Sequence, residues 1–278
     1  MGRKGGEAKK GGKAGRGKGR GAPSGPDGRG KGGRPAGKVP SGPEVSRALD
    51  WFRHSPSLAV GCFCTLPLWL AYEWARSAQG LALPPNGAEA IVLWVFGSMG
   101  DVGLPLLRAT AGALVLGSGF LLLKRRVPVV KVCLMVVLEG LLWGSLVGPL
   151  GLLFARRLAP GLPLDWEATL FRSIGAGLYE ELLFRLFLLS LLYLLFSRAF
   201  AFHDLPRILA MGAAVLLSGF LFALAHHLGP GGDPLEGRVL LFRFVMGVLL
   251  GILFVARGFG VVVYTHAWYD LLFFWFSR

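Results

Sequence analysis

Residues 174–196 form an apolar stretch of 23 residues, IGAGLYEELLFRLFLLSLLYLLF, whose charged side chains are Glu180, Glu181 and Arg185. A helix rises about 1.5 Å per residue, so this stretch is long enough to cross the hydrocarbon core of a bilayer. A helix also pairs the backbone N–H and C=O groups that hydrocarbon leaves without water. The stretch therefore predicts a membrane-spanning helix that carries charge at membrane depth.

Further apolar runs like this one recur through the chain after its first fifty residues. Hydrophobic residues make up 53% of the sequence, and the mean hydropathy is +0.56. Both values lie well above those of a soluble domain, so we expect an all-α polytopic membrane protein. We predict about eight transmembrane helices, with seven as the alternative, because residues 90–123 fit either two short spans meeting near Leu104 and Pro105 or one span after a re-entrant piece. The other predicted spans are 58–74, 130–154, 174–196, 208–228, 238–256 and 259–276.

The first fifty residues differ from the rest in composition. The first forty positions hold fifteen glycines and twelve Lys or Arg against Glu7 and Asp27, so +10 of the formal charge of +14 lies there. Such a segment has too little apolar surface to fold, which predicts a disordered tail at 1–50 and a membrane domain at 51–278. We expect this tail to contact anionic lipid and to keep the N-terminus in the cytoplasm. No aromatic residue interrupts it, so nucleic acid is not an expected partner.

The three cysteines, Cys62, Cys64 and Cys133, all lie within apolar segments. Their spacing matches neither a disulfide framework nor a zinc knuckle. We expect them to be small buried hydrophobic side chains.

The charges of the 174–196 stretch fall on two helix faces. Successive residues are turned by about 100° around a helix, so Glu181 and Arg185 (i, i+4) share a face and can pair. Glu180 lies on the adjacent face and is left available. A charge at membrane depth costs roughly 3 to more than 10 kcal/mol, so this carboxylate needs a partner, a wet cavity or a chemical task.

Two later predicted spans carry histidine. His226 ends the span 208–228, and His266 with Asp270 forms an i, i+4 polar pair in the last span. Consecutive spans are antiparallel, so His226 should lie on the same side of the membrane as Glu180. We expect one cluster that contains all of these groups.

Three functions are consistent with this cluster. No hydroxyl or thiol nucleophile adjoins it, so a carboxylate and a neutral imidazole would activate a water for peptide hydrolysis without any cofactor, while a second histidine stabilises the oxyanion. A zinc ion held by His226, His266 and Glu180 would perform the same hydrolysis. A proton-coupled carrier, or a scaffold without catalysis, is the alternative of another class.

Four short patterns resemble the CAAX-prenyl-protease/bacteriocin-processing family of intramembrane proteases. Glu180-Glu181 with Arg185 is similar to its E-E-x-x-x-R motif, and Phe222 with His226 to its F-x-x-x-H motif. His266-x-x-x-Asp270 resembles its H-x-x-x-N/D motif, and Phe244-x-x-Gly247-x-x-x-Gly251 its small-residue packing helix. The resemblance covers about residues 165–278 in the family's order.

The resemblance implies a role for each matching residue. Glu180 and His226 would activate the water, Glu181 and Arg185 would order the first helix, and His266 with position 270 would stabilise the oxyanion. Asp270 stands where better-studied members carry an amide, and an ionised Asp cannot donate to an oxyanion. We therefore expect Asp270 to orient His266 or to be protonated.

The resemblance also implies a membrane-anchored protein or peptide substrate: a prenylated C-terminus, a bacteriocin leader, or the transmembrane tail of a sorting signal. The Arg- and Gly-rich composition indicates a bacterial source with GC-rich DNA, and hence the inner membrane. Glu139, near the middle of its span, is expected to hydrogen-bond within the bundle, with Arg243 as a partner for Glu139 or Asp101.

Overall fold

The computed structural model describes residues 53–78, 85–155, 166–203, 206–228, 232 and 234–276, without the side chains of residues 150–155. The tail that the sequence predicts at residues 1–50 lies outside the described residues.

Every regular element in this part of the chain is helical. A 3₁₀ turn, Gly100–Val102, precedes α4, and a π-helical segment, Glu181–Leu189, lies between α6 and α7. The α-helices are α1 Leu58–Cys64, α2 Leu66–Ala78, α3 Gly87–Gly97, α4 Gly103–Lys124, α5 Val129–Ala155, α6 Trp166–Glu180, α7 Ser190–Phe202, α8 Arg207–Ala225, α9 Gly237–Arg257 and α10 Phe259–Phe276.

Six helical stretches of the described chain, three of which join more than one of these elements, are long and apolar enough to cross a membrane. The predicted count of eight is therefore not confirmed. One reason is the region 90–123, where the 11-residue α3 and the 22-residue α4 replace the expected pair of short spans. Pro105 does not divide them, because it lies in the first turn of α4, where the N–H groups have no partner within the helix. The six are Leu58–Ser77, Gly100–Lys124, Val129–Pro149, Trp166–Phe202, Arg207–Ala225 and Gly237–Arg257.

Helix α10 is largely buried and carries two of the predicted site residues. Small residues on its neighbours allow close approach. A Cβ added to Gly144 of α5 would lie 2.9 Å from the carbonyl oxygen of Thr265, and one added to Gly177 of α6 would lie 2.8 Å from that of Val263. The backbone of α10 is thus held between α5 and α6, which fixes the position of His266.

Glu139 forms its predicted hydrogen bonds within the bundle, to an arginine of α9. Arg257, at the end of α9, donates from Nε to Glu139 Oε1 at 2.6 Å and from Nη2 to Oε2 at 2.9 Å. This two-bond geometry is the strong form of an Arg–carboxylate pair. Asp101 lies exposed in the 3₁₀ turn.

The expectation that all three cysteines are free was wrong. Cys64 of α1 and Cys133 of α5 form a disulfide with their Cα atoms 5.2 Å apart, and Cys62 remains a thiol. The two partners are separated by 69 positions, so their pairing depends on how α1 packs against α5. Val60, Val132 and Val136 form the buried apolar contact that brings these helices together.

Candidate active site

The segment that carries the paired glutamates changes its helical geometry at the pair. Helix α6 ends at Glu180, and the next nine residues, Glu181–Leu189, are π-helical. A π segment widens the backbone and occurs frequently at functional sites. Two hydroxyls bind carbonyls of this segment, since Ser218 Oγ donates to Phe184 O at 2.8 Å and Ser190 Oγ donates to Arg185 O at 3.4 Å. The hydrophobic pattern alone gives no signal of this change.

The expected ion pair between Glu181 and Arg185 is present and fully enclosed. Arg185 Nη1 lies 3.1 Å from Glu181 Oε1, and the two side chains are 1% and 0% exposed. Arg185 also donates from Nη2 to the carbonyl of Gly247 at 3.3 Å, and its guanidinium lies 4.2 Å from the centre of the Phe222 ring. One arginine therefore ties the π segment to α9 and α8.

His266 is held by a bond that sequence reasoning missed. Its Nδ1 lies 2.5 Å from Glu181 Oε1, and because an ionised carboxylate only accepts, the hydrogen belongs to Nδ1. Its Nε2 faces Glu180 Oε2 at 3.7 Å and Asp270 Oδ2 at 3.6 Å. The predicted i, i+4 relation between His266 and Asp270 is thus present, but the shortest contact of the imidazole is to Glu181.

His226 reaches the same carboxylate from α8. It is the C-cap residue of that helix, and its Nδ1 lies 2.8 Å from the carbonyl oxygen of Phe222. A carbonyl only accepts, so Nδ1 donates and Nε2 is directed to Glu180 Oε2, at 3.5 Å. The expected meeting of Glu180 and His226 on one side of the bundle is present.

Glu180 Oε2 is therefore the point at which the site converges. Two imidazole Nε2 atoms lie 3.5 and 3.7 Å from this one oxygen. Both distances exceed those of well-formed direct hydrogen bonds, and they suit a water molecule that contacts the carboxylate and an imidazole together. The arrangement supplies a proton acceptor beside a position for water.

These atoms open into a cavity of about 530 Å³. That volume lies within the range of small-molecule and cofactor sites, about 300–1,000 Å³. Its walls come from α6, α8, α9, α10 and the residues before α3, and they combine aromatic side chains with two arginines. The side chains that line the cavity include Glu180, His226, His266, Asp270, Arg172, Arg243, Glu236, Phe242 and Phe273.

Within the described residues, no three His, Cys, Asp or Glu side chains are placed to hold a metal ion. The steps proposed below use only side chains of the chain itself, and elemental analysis tests the zinc alternative.

The part of the chain that forms this site also matches a family of known proteins. Residues 162–272 match the family model described as Type II CAAX prenyl endopeptidase Rce1-like. This match confirms the resemblance drawn from the four motifs. No curated protein and no solved structure matches the chain.

Proposed function

We propose that this chain, whose residues 162–272 belong to the Rce1-like family of type II CAAX prenyl endopeptidases, is an intramembrane endopeptidase that cleaves a membrane-associated protein or peptide. The observation that carries the proposal is the position of Glu180 Oε2, which faces His226 Nε2 at 3.5 Å and His266 Nε2 at 3.7 Å on the wall of a cavity of about 530 Å³.

Glu180 and His226 activate the attacking water in this proposal. The water donates one hydrogen to Glu180 Oε2 and the other to His226 Nε2, which presents a lone pair because Nδ1 carries the hydrogen. Attack forms the new C–O bond while Glu180 takes the proton. The tetrahedral intermediate then collapses, the C–N bond breaks, and the amine leaves with that proton. Glu180 returns to its ionised state.

The other predicted site residues act by positioning. Glu181 accepts from His266 Nδ1 at 2.5 Å, and Arg185, 3.1 Å from the same carboxylate oxygen, balances its charge. Asp270 lies 3.6 Å from His266 Nε2, which supports the expectation that it orients the imidazole. The bond from Nδ1 to Glu181 orients the imidazole plane beside Glu180, as second partners do at many catalytic histidines.

The cavity wall also supports a substrate with an apolar part. Phe242 and Phe273 line it, and their rings stack with centroids 6.2 Å apart. Aromatic walls favour a lipid group or a hydrophobic peptide segment. We include a prenylated C-terminus, a bacteriocin leader and a transmembrane tail among the candidate substrates, and we propose a bacterial inner-membrane location with the basic tail on anionic cytoplasmic lipid.

Substitution of Glu180 tests the proposal. The detergent-purified protein is incubated with an internally quenched peptide that ends in a farnesylated CAAX sequence and, in parallel, with a single-span reporter protein. Glu180→Gln should lower turnover by about 10²–10⁴-fold, the usual contribution of a general base. The matched control is Glu236→Gln, the same chemical change at an exposed residue of the same cavity.

Turnover of Glu180→Gln at the wild-type rate would rule out this mechanism. If neither probe is cleaved, the membrane proteome with and without the protein is compared by mass spectrometry for new termini. Proton-coupled uptake that is lost in Glu180→Gln, without new termini, would favour the carrier alternative.

A further inference from the structure

The proposed reaction moves a negative charge from Glu180 to the substrate's carbonyl oxygen, in a site that also holds the carboxyl groups of Glu181 and Asp270. Glu180, Glu181 and Asp270 all lie within 3.7 Å of His266 ring nitrogens. Attack on a peptide carbonyl turns its oxygen into an oxyanion beside them. In a buried site this repulsion is much stronger than in water, so hydrolysis needs a fixed positive charge or hydrogen-bond donor at that oxygen.

His266 is poorly placed to supply this stabilisation alone. Its Nδ1 hydrogen is directed at Glu181, and its Nε2 faces one oxygen of Glu180 and one of Asp270. Any hydrogen on Nε2 therefore has two carboxylates competing for it. His266 therefore donates to Glu181 and faces two further carboxyl groups with Nε2.

Arg185 is excluded by its position. Its side chain is 1% exposed, its guanidinium contacts Glu181 and the carbonyl of Gly247, and it lies over the face of the Phe222 ring. It does not line the cavity, so its charge balances Glu181 from behind the site.

Arg243 of α9 lies where a cation is needed. It lines the cavity together with Glu180, His266 and Asp270. The other arginine on the wall, Arg172, is exposed, and it lies two helical turns before Glu180. Of the described residues, Arg243 is therefore the cation at the reacting end of the cavity.

The packing of α9 fixes the direction of Arg243. Gly247 lies one helical turn later and so on the same helix face. That face is pressed against α8, because a Cβ on Gly247 would lie 2.9 Å from the Cα of Gly219. Arg185 also donates to the Gly247 carbonyl at 3.3 Å. The segment that carries Arg243 is thus anchored to the two elements that carry Glu181 and His226.

We propose that Arg243 is a catalytic residue whose guanidinium N–H groups hold the oxyanion formed during peptide hydrolysis. This inference rests on the proposed function and adds a residue that none of the four motifs contains. Arginine keeps its charge at any working pH and presents five N–H donors, so it can serve the carboxylates and the oxyanion together. It gives up no proton, and the reaction balances as described above.

The first test compares Arg243→Gln and Arg243→Lys with Arg238→Gln, which removes an exposed cation of the same helix that does not line the cavity. On the probe that the wild type cleaves, Arg243→Gln should lower kcat by about 10²–10³-fold, the usual effect of losing one oxyanion donor, with KM unchanged. Arg243→Lys keeps a charge and should retain an intermediate kcat. Arg238→Gln should keep the wild-type kcat.

A second test separates catalysis from structure. Added guanidinium ion should raise the kcat of Arg243→Ala, because it can occupy the space of the missing group, and it should not raise the kcat of Glu180→Gln. A purely structural role for Arg243 predicts no such rescue. Thermal unfolding in detergent shows whether each variant is folded.

Three outcomes would overturn the inference. Wild-type kcat in Arg243→Gln, with Glu180→Gln inactive, removes the role of Arg243 and leaves the proposed function intact. If Arg243→Gln raises the KM for a peptide with a free C-terminal carboxylate, but not for the same peptide with a C-terminal amide, Arg243 binds a substrate carboxylate instead. A wild-type protein that cleaves neither probe nor any membrane protein removes the reaction, and the role of Arg243 with it.

Discussion

Substitution of Glu181 by Gln gives the strongest stability prediction. Glu181 is fully buried, lies 3.1 Å from Arg185 Nη1, and accepts from His266 Nδ1 at 2.5 Å. A glutamine oxygen can accept but carries no charge, so the guanidinium of Arg185 would remain buried without its counter-charge. Removing one partner of a buried pair costs about 3–5 kcal/mol. For a domain of this size, that corresponds to a fall in Tm of roughly 6–20 °C on the soluble-protein scale.

A double variant separates charge from orientation. Glu181→Gln with Arg185→Met removes both charges, so part of the lost stability should return. Activity should not return, because His266 Nδ1 still lacks its carboxylate partner.

Thermal unfolding in detergent, followed by tryptophan fluorescence, measures the stability, and cleavage of the reporter measures the activity. Glu236→Gln, at an exposed position, is the control. A Glu181→Gln protein that unfolds within about 2 °C of the wild type would refute the reasoning, since that shift corresponds to under about 1 kcal/mol. Recovery of full activity in the double variant would refute the positioning role of Glu181.

Three further predictions follow from the packing, the donor set and the tail. Gly177→Val should destabilise the protein, because the new Cβ would lie 2.8 Å from the carbonyl oxygen of Val263. Gly112→Ala should not destabilise it, because nothing lies within 4 Å of the added Cβ. Thermal unfolding in detergent compares the two variants. Elemental analysis of an active preparation should find no stoichiometric zinc, and one equivalent that is lost in His226→Ala and His266→Ala would establish the zinc alternative. Deletion of residues 2–44 should leave cleavage of a short reporter in detergent nearly unchanged, and a large loss in a folded truncated protein would mean that the tail contacts substrate.

The parts of the site that follow local spacing could be predicted from the sequence. The i, i+4 rule predicts the pair of Glu181 and Arg185, and the antiparallel order of successive spans predicts that His226 meets Glu180. Hydropathy predicts the helical class and most of the spans, because hydrocarbon leaves few alternatives to a helix.

The remaining contacts depend on packing between distant segments. The bond from His266 to Glu181 spans 85 positions, and the pair of Arg257 with Glu139 spans 118. The disulfide of Cys64 with Cys133 likewise needs two particular helices side by side. No periodicity in a single sequence encodes these partners. The π segment was missed for a related reason, since Ser218, which binds the Phe184 carbonyl, lies on another helix.

Analysis of the cleavage products tests the central claim most directly. The wild-type protein, Glu180→Gln and Glu236→Gln are each incubated with the reporter in ¹⁸O-labelled water, and the products are weighed by mass spectrometry. We predict that the wild type and Glu236→Gln give two fragments, with the label in the new C-terminal carboxyl group, and that Glu180→Gln leaves the reporter intact. The same labelled fragments from Glu180→Gln at the wild-type rate would contradict the account.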